Sequence, residues 1–133
     1  MPKMVCLDTS FVIDFFRGRS NAVEQASTLA ANNETITITA PTLMELATGA
    51  ALNQSRAEKV KLTDFLNSVT VLPLNKKAAL LAGELNAGLI TGGEMIEPMD
   101  IQIGAIAVAH NEQLITKNVR HFSRIPGLEV RTY

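Results

Sequence analysis

Short β-forming runs alternate with helical segments from one end of this chain to the other. Residues 35–39 (Thr-Ile-Thr-Ile-Thr) show the period-two alternation that is typical of a strand. Further strands are predicted at residues 3–7, 69–72 and 113–116, with an edge strand at 128–131. Strands that alternate with helices predict a parallel sheet that is covered on both faces, and therefore an α/β fold.

The predicted helices cover residues 11–17, 21–31, 42–52, 55–67, 75–90 and 99–110. Pro41 falls in the first turn of the third helix, where proline is favoured. Ser55 precedes the fourth helix as an N-cap, with Glu58 at the spacing of a capping box. The fifth helix carries a leucine stripe that we expect to face the core, the alternative being a dimer interface; it comprises Leu81, Leu85 and Leu89. With no repeat or linker visible, we expect a single domain over residues 1–133.

Composition excludes several classes of protein. The apolar fraction of 47% and the charged fraction of 19% are ordinary for a soluble globular protein, and no apolar run approaches the roughly 18 residues of a membrane span. The first apolar stretch is too short for a signal peptide. Cys6 is the only cysteine, which excludes an internal disulfide. We therefore expect a cytoplasmic protein, and its net charge of −1 means that any RNA-binding surface must be a local basic patch.

Four polar residues follow or approach the ends of the predicted strands. Asp8 ends the first strand, Glu45 lies in the opening turns of the helix after the second, and Asp100 begins the helix 99–110. Asn118 follows the fourth strand. Because ligands bind beyond the carboxyl ends of the strands in open parallel sheets, we expect these residues to converge at one edge.

Several carboxylates brought together repel one another, and a divalent cation removes that conflict. Mg²⁺ prefers oxygen ligands and takes one or two carboxylates directly, which leaves positions for water and a substrate phosphate. Such an ion can activate water and stabilise a phosphodiester undergoing cleavage. Each acid also has a structural interpretation taken alone: an N-cap or a solvated surface group for Asp8, an exposed helical stripe for Glu45, and complementarity to the helix dipole for Asp100.

Four segments, in order and with compatible spacing, resemble the motifs of a known family. They are LDTSFVIDFFRG at residues 7–18, APTLMELATG at 40–49, DIQIGAIA at 100–107, and a closing segment formed by TKNVRHF at 116–122 with IPGL at 125–128. Through these segments, which span nearly the whole chain, the sequence resembles the PIN-domain nucleases, and within them the VapC toxins of VapBC toxin–antitoxin pairs.

The resemblance implies a PIN-like three-layer sandwich, in which helices flank a central, mostly parallel sheet of about five strands. It also implies a homodimer, a cognate VapB-like antitoxin that blocks the site, and Mg²⁺- or Mn²⁺-dependent endoribonuclease activity on RNA. By position, Asp8, Glu45 and Asp100 would be the acidic metal ligands. Asn118 falls where many relatives have a fourth acid, and this departure puts a tightly held second metal in doubt.

The resemblance assigns supporting roles as well. Ser10 and Thr116 match hydroxyl residues that hold the acids by hydrogen bonding, whereas we interpret Asp14 as structural, an acid in the first turns of a helix. Basic residues flank the first and last motifs and are candidates for binding RNA phosphate, with a solvated surface as the alternative; they are Arg17, Arg19, Lys117, Arg120 and Arg124. His121 is either a packing or surface residue or a contact to RNA or metal.

Two other enzyme classes place an aspartate after the first strand, and the sequence disfavours both. A haloacid-dehalogenase-type phosphatase needs a second aspartate two residues later, where this chain has Ser10. A receiver domain needs adjacent acids before the strand ends, where this chain has Cys6 and Leu7. The surviving alternative is a non-catalytic PIN-like module that binds RNA or a protein, and metal binding separates it from a nuclease.

Overall fold

Five parallel strands form one sheet at the centre of the molecule, in the order β3-β2-β1-β4-β5. The computed structural model describes residues 4–133. The strands are β1 (Met4–Leu7), β2 (Thr35–Thr39), β3 (Thr70–Leu72), β4 (Gln113–Ile115) and β5 (Val130–Arg131). The helices of residues 4–133 are α1 (Thr9–Phe16), α2 (Ser20–Ala31), α3 (Ala40–Asn53), α4 (Arg56–Leu66), α5 (Lys76–Thr91), α6 (Pro98–Ala109) and α7 (Val119–Phe122).

The chain adds strands first on one side of the central strand β1 and then on the other. Strands β2 and β3 extend the sheet on one side, and β4 and β5 extend it on the other. Leu7 pairs with Ile115 in the parallel register of β1 and β4, and the Asp8 amide donates to the Ile115 carbonyl at 3.0 Å. The point where the winding reverses therefore lies directly beside Asp8, which is where α/β sheets bind ligands.

Successive residues of β1 point to opposite faces of the sheet, and each face has its own core. Cys6 packs with Leu114 against apolar residues of α5 and α6, among them Leu89 and Ile103. On the other face, residues of α1 to α4 pack against Val5 and Ile115 and their strand neighbours. This arrangement confirms the predicted three-layer sandwich around a parallel sheet.

The predicted strands are all present, with ends that differ by one or two residues, and β2 has the predicted bounds. Lys3, included in the first predicted strand, lies outside the described residues. Leu89 is buried, and Leu81 and Leu85 pack against the core as expected. The Ser55 hydroxyl accepts from the Glu58 amide at 3.4 Å, which confirms the N-cap.

The first helix differs from its prediction, and the difference moves one acid. Helix α1 begins at Thr9, two residues before the predicted start, and ends at Phe16. Asp14 therefore lies in the last turn of this helix rather than in its first turns, and its interpretation as a favourable acid near a helix N-terminus was wrong. The short helix α7 was not predicted, since four residues are too few to show a helical period.

The longest helix of the described chain, α5, has 16 residues. None of the helices in residues 4–133 combines the length with the apolar character that crossing a bilayer requires.

One buried carboxyl group was not singled out in the sequence. Glu112 is 3% exposed, and one of its oxygens lies within hydrogen-bond distance of the Thr37 hydroxyl. The same hydroxyl lies 3.1 Å from the Val5 carbonyl oxygen, which can only accept. Thr37 has a single proton for these two acceptors, so the buried Glu112 carboxyl receives at most one hydrogen bond from it. Burial raises the pKa of Glu112, although the hydrogen bond from Thr37 and the charge of His110 oppose the shift.

Replacing Glu112 with glutamine is expected to stabilise the protein at about pH 8 by on the order of 1 kcal/mol, because the amide carries no charge into the core. Because the pKa of Glu112 is raised in the folded state, the wild-type protein gains stability from protonation of this carboxyl. That contribution to the free energy of unfolding is complete below the ordinary pKa of 4.5 and is lost as the pH rises through the folded-state value. Urea unfolding at about pH 4 and pH 8 measures the difference, with exposed Glu24→Gln as the control. A Glu112→Gln protein less stable than wild type at pH 8 would contradict this effect of burial on Glu112.

Candidate active site

Asp8 lies at the carboxyl end of β1 and is only 5% exposed. Its Oδ2 accepts from the Ser10 hydroxyl at 2.9 Å and from the Thr116 hydroxyl at 2.7 Å. Asp8 is the N-cap residue of α1, but its side chain makes no capping hydrogen bond to that helix. The carboxylate is instead oriented by two hydroxyl groups, and its burial contradicts the interpretation as a solvated surface group.

Glu45 approaches the same region from α3, and a chain of threonine hydroxyls fixes its orientation. The Thr9 hydroxyl donates to Glu45 Oε1 at 2.7 Å and lies 3.0 Å from the Thr42 hydroxyl. The Thr39 hydroxyl lies 3.2 Å from that of Thr42 and accepts from the Thr42 amide. Because each hydroxyl has one proton, the donors run in sequence from Thr39 through Thr42 and Thr9 to the carboxylate.

Sequence reasoning missed these three threonines. All three are buried, and a buried hydroxyl requires a partner. The available signal was their position, since Thr9 adjoins Asp8 and Thr42 lies three residues before Glu45. A polar residue inside an otherwise apolar motif, next to an acid, indicates a hydrogen bond to that acid.

Asp100 enters the site from the first turn of α6, and its side chain is 20% exposed. Its pKa is raised to about 6, chiefly by burial, and further by the negative charges of Asp8, Glu45 and Glu97. His121 opposes this shift. Asp8, Glu45 and Asp100 come from three separate elements, and the charges of the first two both act on the Asp100 carboxyl.

Asn118 contacts its neighbours rather than an acid. Its backbone amide donates to the Thr116 hydroxyl at 2.9 Å, and its side-chain nitrogen lies 3.1 Å from His121 Nδ1. The same Nδ1 lies 3.9 Å from Asp100 Oδ2. His121 is thus the residue of the closing segment that approaches Asp100, and it is 42% exposed at its side chain.

The candidate basic residues differ in how firmly they are held. Arg17 and Arg120 are exposed, and so is Arg19. Lys117 pairs with Asp14 at 3.2 Å. Arg124 lies 3.9 Å from Glu94 and donates to the Met95 carbonyl at 3.2 Å, so its guanidinium is engaged with the loop before α6.

A groove of about 500 Å³ adjoins Glu45. It runs between α1, α3 and α4, and its lining combines apolar side chains with charged ones at the margin. Its lining includes Phe16, Arg17, Glu45, Leu46, Lys61 and Leu62. The groove therefore offers an apolar surface that ends at one of the site carboxylates.

A family model, curated relatives and solved structures all match this chain. The family model described as PIN domain matches residues 5–128. This chain belongs to the PIN-domain family. Asp8, Glu45 and Asp100 all fall inside the matched residues of this PIN domain.

Curated relatives align with this PIN domain over nearly its whole length. Ribonuclease VapC2 of Rickettsia felis is 30% identical over 123 residues, which are 92% of this chain and 92% of the relative. The tRNA(fMet)-specific endonuclease VapC of Salmonella typhimurium is 27% identical over 128 residues, which are 96% of each chain. The similarity is thus not confined to the four motifs.

Solved structures of toxin–antitoxin complexes contain similar chains. A chain in the crystal structure of VapBC2 from Rickettsia felis bound to a promoter DNA fragment superposes with a TM-score of 0.86 at 28% identity, covering 98% of both chains. A chain in DNA-bound VapBC from Salmonella typhimurium gives 0.83 at 27% identity, covering 99% of this chain and 98% of that one.

The donor set of the site fits a divalent cation, although the ligands are not fully assembled. Among residues 4–133, no three Asp, Glu, His or Cys side chains lie close enough together to hold one ion as they stand. Mg²⁺ needs only one or two direct carboxylates, with water in its other positions. Burial, and to a smaller extent the neighbouring negative charges, raise the pKa of Asp100, and a bound cation would favour its ionised form.

Proposed function

We propose that this PIN domain is a Mg²⁺- or Mn²⁺-dependent endoribonuclease and the toxin of a type II toxin–antitoxin pair. The observation that carries the proposal is the placement of three carboxylates, from three different elements, beside the end of the central strand. Support also comes from the relatives, which are named a ribonuclease and an endonuclease and match 92% and 96% of the chain.

Asp8, Glu45 and Asp100 would hold the ion in this site. When bound, the cation would supply Lewis-acid stabilisation of the phosphate and lower the pKa of attacking water. Ser10 and Thr116 keep the Asp8 carboxylate in one orientation, and Thr9 does the same for Glu45. Because these hydroxyls hold the carboxylates in place, the carboxylates would not have to reorient during the reaction.

Incubation of the purified protein with end-labelled RNA tests the proposal. We expect cleavage with Mg²⁺ or Mn²⁺ and no cleavage after chelation with EDTA. Metal added back in excess should restore cleavage. A protein that binds RNA or an antitoxin but never cleaves with either metal would support the non-catalytic alternative and overturn the assignment as a nuclease.

We also infer a cognate VapB-like antitoxin as partner and a cytoplasmic location. Structures of similar chains are described as VapBC complexes, which supports the antitoxin. The groove beside Glu45 offers an apolar floor that includes Phe16 and Leu46 and a basic edge at Arg17, as an antitoxin tail would require. A tail in this groove would cover Glu45 and thereby block the site.

The homodimer that the family resemblance implies is part of the same proposal. Light scattering of the purified protein measures its oligomeric state.

Replacing Thr9 with valine is expected to weaken metal binding and cleavage by roughly 10- to 100-fold, the range observed when a group supporting a ligand is removed. Valine keeps the shape of threonine but cannot donate to Glu45. Metal titration and cleavage rate measure the effect. Thr63→Val is the matched control, because that hydroxyl is exposed on α4 and bonds only the Lys59 carbonyl. Equal activity of the Thr9 and Thr63 variants would contradict the role given to Thr9.

A further inference from the structure

Asp14 occupies a position that helix physics disfavours. It is 7% exposed and lies in the last turn of the eight-residue helix α1, where the negative end of the helix dipole meets its carboxylate. A buried carboxylate in such a place needs strong partners to remain ionised. Its partners should therefore reveal why an acid is present there.

Two partners reach Asp14 from the far end of the chain. The Tyr133 hydroxyl donates to Asp14 Oδ2 at 2.7 Å, and Lys117 Nζ donates to the same oxygen at 3.2 Å. The Tyr133 ring packs edge-on against Phe11 at 4.7 Å between centroids. The hydrogen bond from Tyr133, and then the bond and charge of Lys117, hold the pKa of Asp14 below its usual value. Asp14 thus joins α1 to the segment after β4 and to Tyr133, which follows β5.

Lys117 lies at the rim of the acidic site. It directly follows Thr116, whose hydroxyl bonds Asp8, and directly precedes Asn118. An ammonium group has three donors, and Asp14 supplies only one carboxylate. The side chain of Lys117 is 58% exposed, so the remaining donors are open to solvent beside the site.

A fixed cation at this rim has a clear use. Three carboxylates repel an approaching polyanion, and a nearby positive charge offsets that repulsion. A free lysine loses side-chain entropy when it contacts phosphate, whereas one already held in place loses less. Tyr133 contributes by fixing the orientation of the Asp14 carboxylate that holds the lysine.

We propose that Asp14 is a positioning residue, which holds the Lys117 ammonium where it contacts a backbone phosphate of RNA next to the cleaved bond. The inference rests on the proposed ribonuclease function. Asp14 acts through Lys117 and does not itself touch the substrate. The effect of Asp14 on RNA binding therefore depends on the presence of Lys117.

RNA binding in an Asp8→Asn background, which prevents cleavage, tests this dependence. Affinity for a labelled single-stranded RNA is measured over a range of salt concentrations. We expect Lys117→Ala to weaken binding roughly fivefold and to reduce the log–log salt slope by about 0.7, the value for one phosphate contact on a single strand. Asp14→Asn should do much the same. Lys59→Ala, an exposed lysine on α4, is the matched control and should change neither quantity.

The double variant distinguishes positioning from a structural role. If Asp14 acts through Lys117, Asp14→Asn has no further effect on RNA affinity when Lys117 is already alanine. A full additional loss in the double variant, or a wild-type salt slope in Asp14→Asn, overturns the proposal. Tyr133→Phe keeps the ring against Phe11 and removes only the hydroxyl, so it serves if Asp14→Asn does not fold. It should weaken RNA binding when Lys117 is present and have no effect when Lys117 is alanine.

The outcome also separates this inference from the proposed function. Wild-type protein that cleaves RNA, together with a Lys117→Ala variant that binds RNA as wild type does, overturns the inference alone. Wild-type protein that neither binds nor cleaves RNA overturns both.

Discussion

Asp8→Asn is expected to lower kcat/KM for RNA cleavage by at least about 100-fold, while the protein remains folded. Asparagine keeps the size of the side chain and one oxygen that can accept from Ser10 or Thr116. It removes the negative charge that a cation requires at the end of β1. Cleavage of labelled RNA under single-turnover conditions measures the loss directly.

Stability in the absence of metal provides the control for that variant. Asp8 lies near two other carboxylates, so removal of its charge relieves repulsion in the metal-free protein. We expect the thermal midpoint of Asp8→Asn in EDTA to equal or exceed that of wild type. Added Mg²⁺ should raise the midpoint of wild type by more than that of Asp8→Asn, because a ligand stabilises the state that binds it in proportion to its affinity. An active Asp8→Asn protein would refute the role of this carboxylate.

Phe122→Ala is expected to reduce the free energy of unfolding by about 3–5 kcal/mol, the range for removing a buried aromatic ring from a core. Phe122 is fully buried in the cluster that contains Leu114 and Ile125. It also ends α7, the helix that carries His121 beside Asp100. Loss of the ring should therefore loosen this helix and weaken metal binding as well as stability.

Urea unfolding measures the effect of Phe122→Ala, and Phe15→Ala supplies the comparison. Phe15 is 37% exposed on α1, so its truncation should reduce the free energy of unfolding by about 1 kcal/mol or less. If the two variants lose similar stability, the packing role assigned to Phe122 is wrong.

The strands and the helices that follow them could be predicted because their residues show periodic hydrophobicity and because residues such as proline mark where elements begin. Alternation over 35–39 and the proline at position 41 fixed β2 and the start of α3 to within two residues. The position of Asp14 could not be predicted, because the start of α1 depends on a tertiary contact. The backbone amide of Asp8 donates a hydrogen bond to the Ile115 carbonyl just after β1, and the helix begins at the next residue.

The acids of the site could be predicted more readily than the groups that orient them. Carboxylates after strands stand out in a sequence, whereas Thr9 and Thr42 belong to motifs that read as ordinary helix starts. Their function depends on α1 and α3 lying side by side, which no local pattern reveals. The same applies to His121, whose approach to Asp100 depends on the placement of α6 against α7.

Isothermal titration calorimetry with Mn²⁺ tests most directly whether these acids share one cation. The account predicts that wild type binds at least one ion per chain, and that Asp8→Asn and Asp100→Asn each weaken its affinity by about tenfold or more. Exposed Glu24→Gln should bind as wild type does. Wild-type affinity in both aspartate variants would contradict the account.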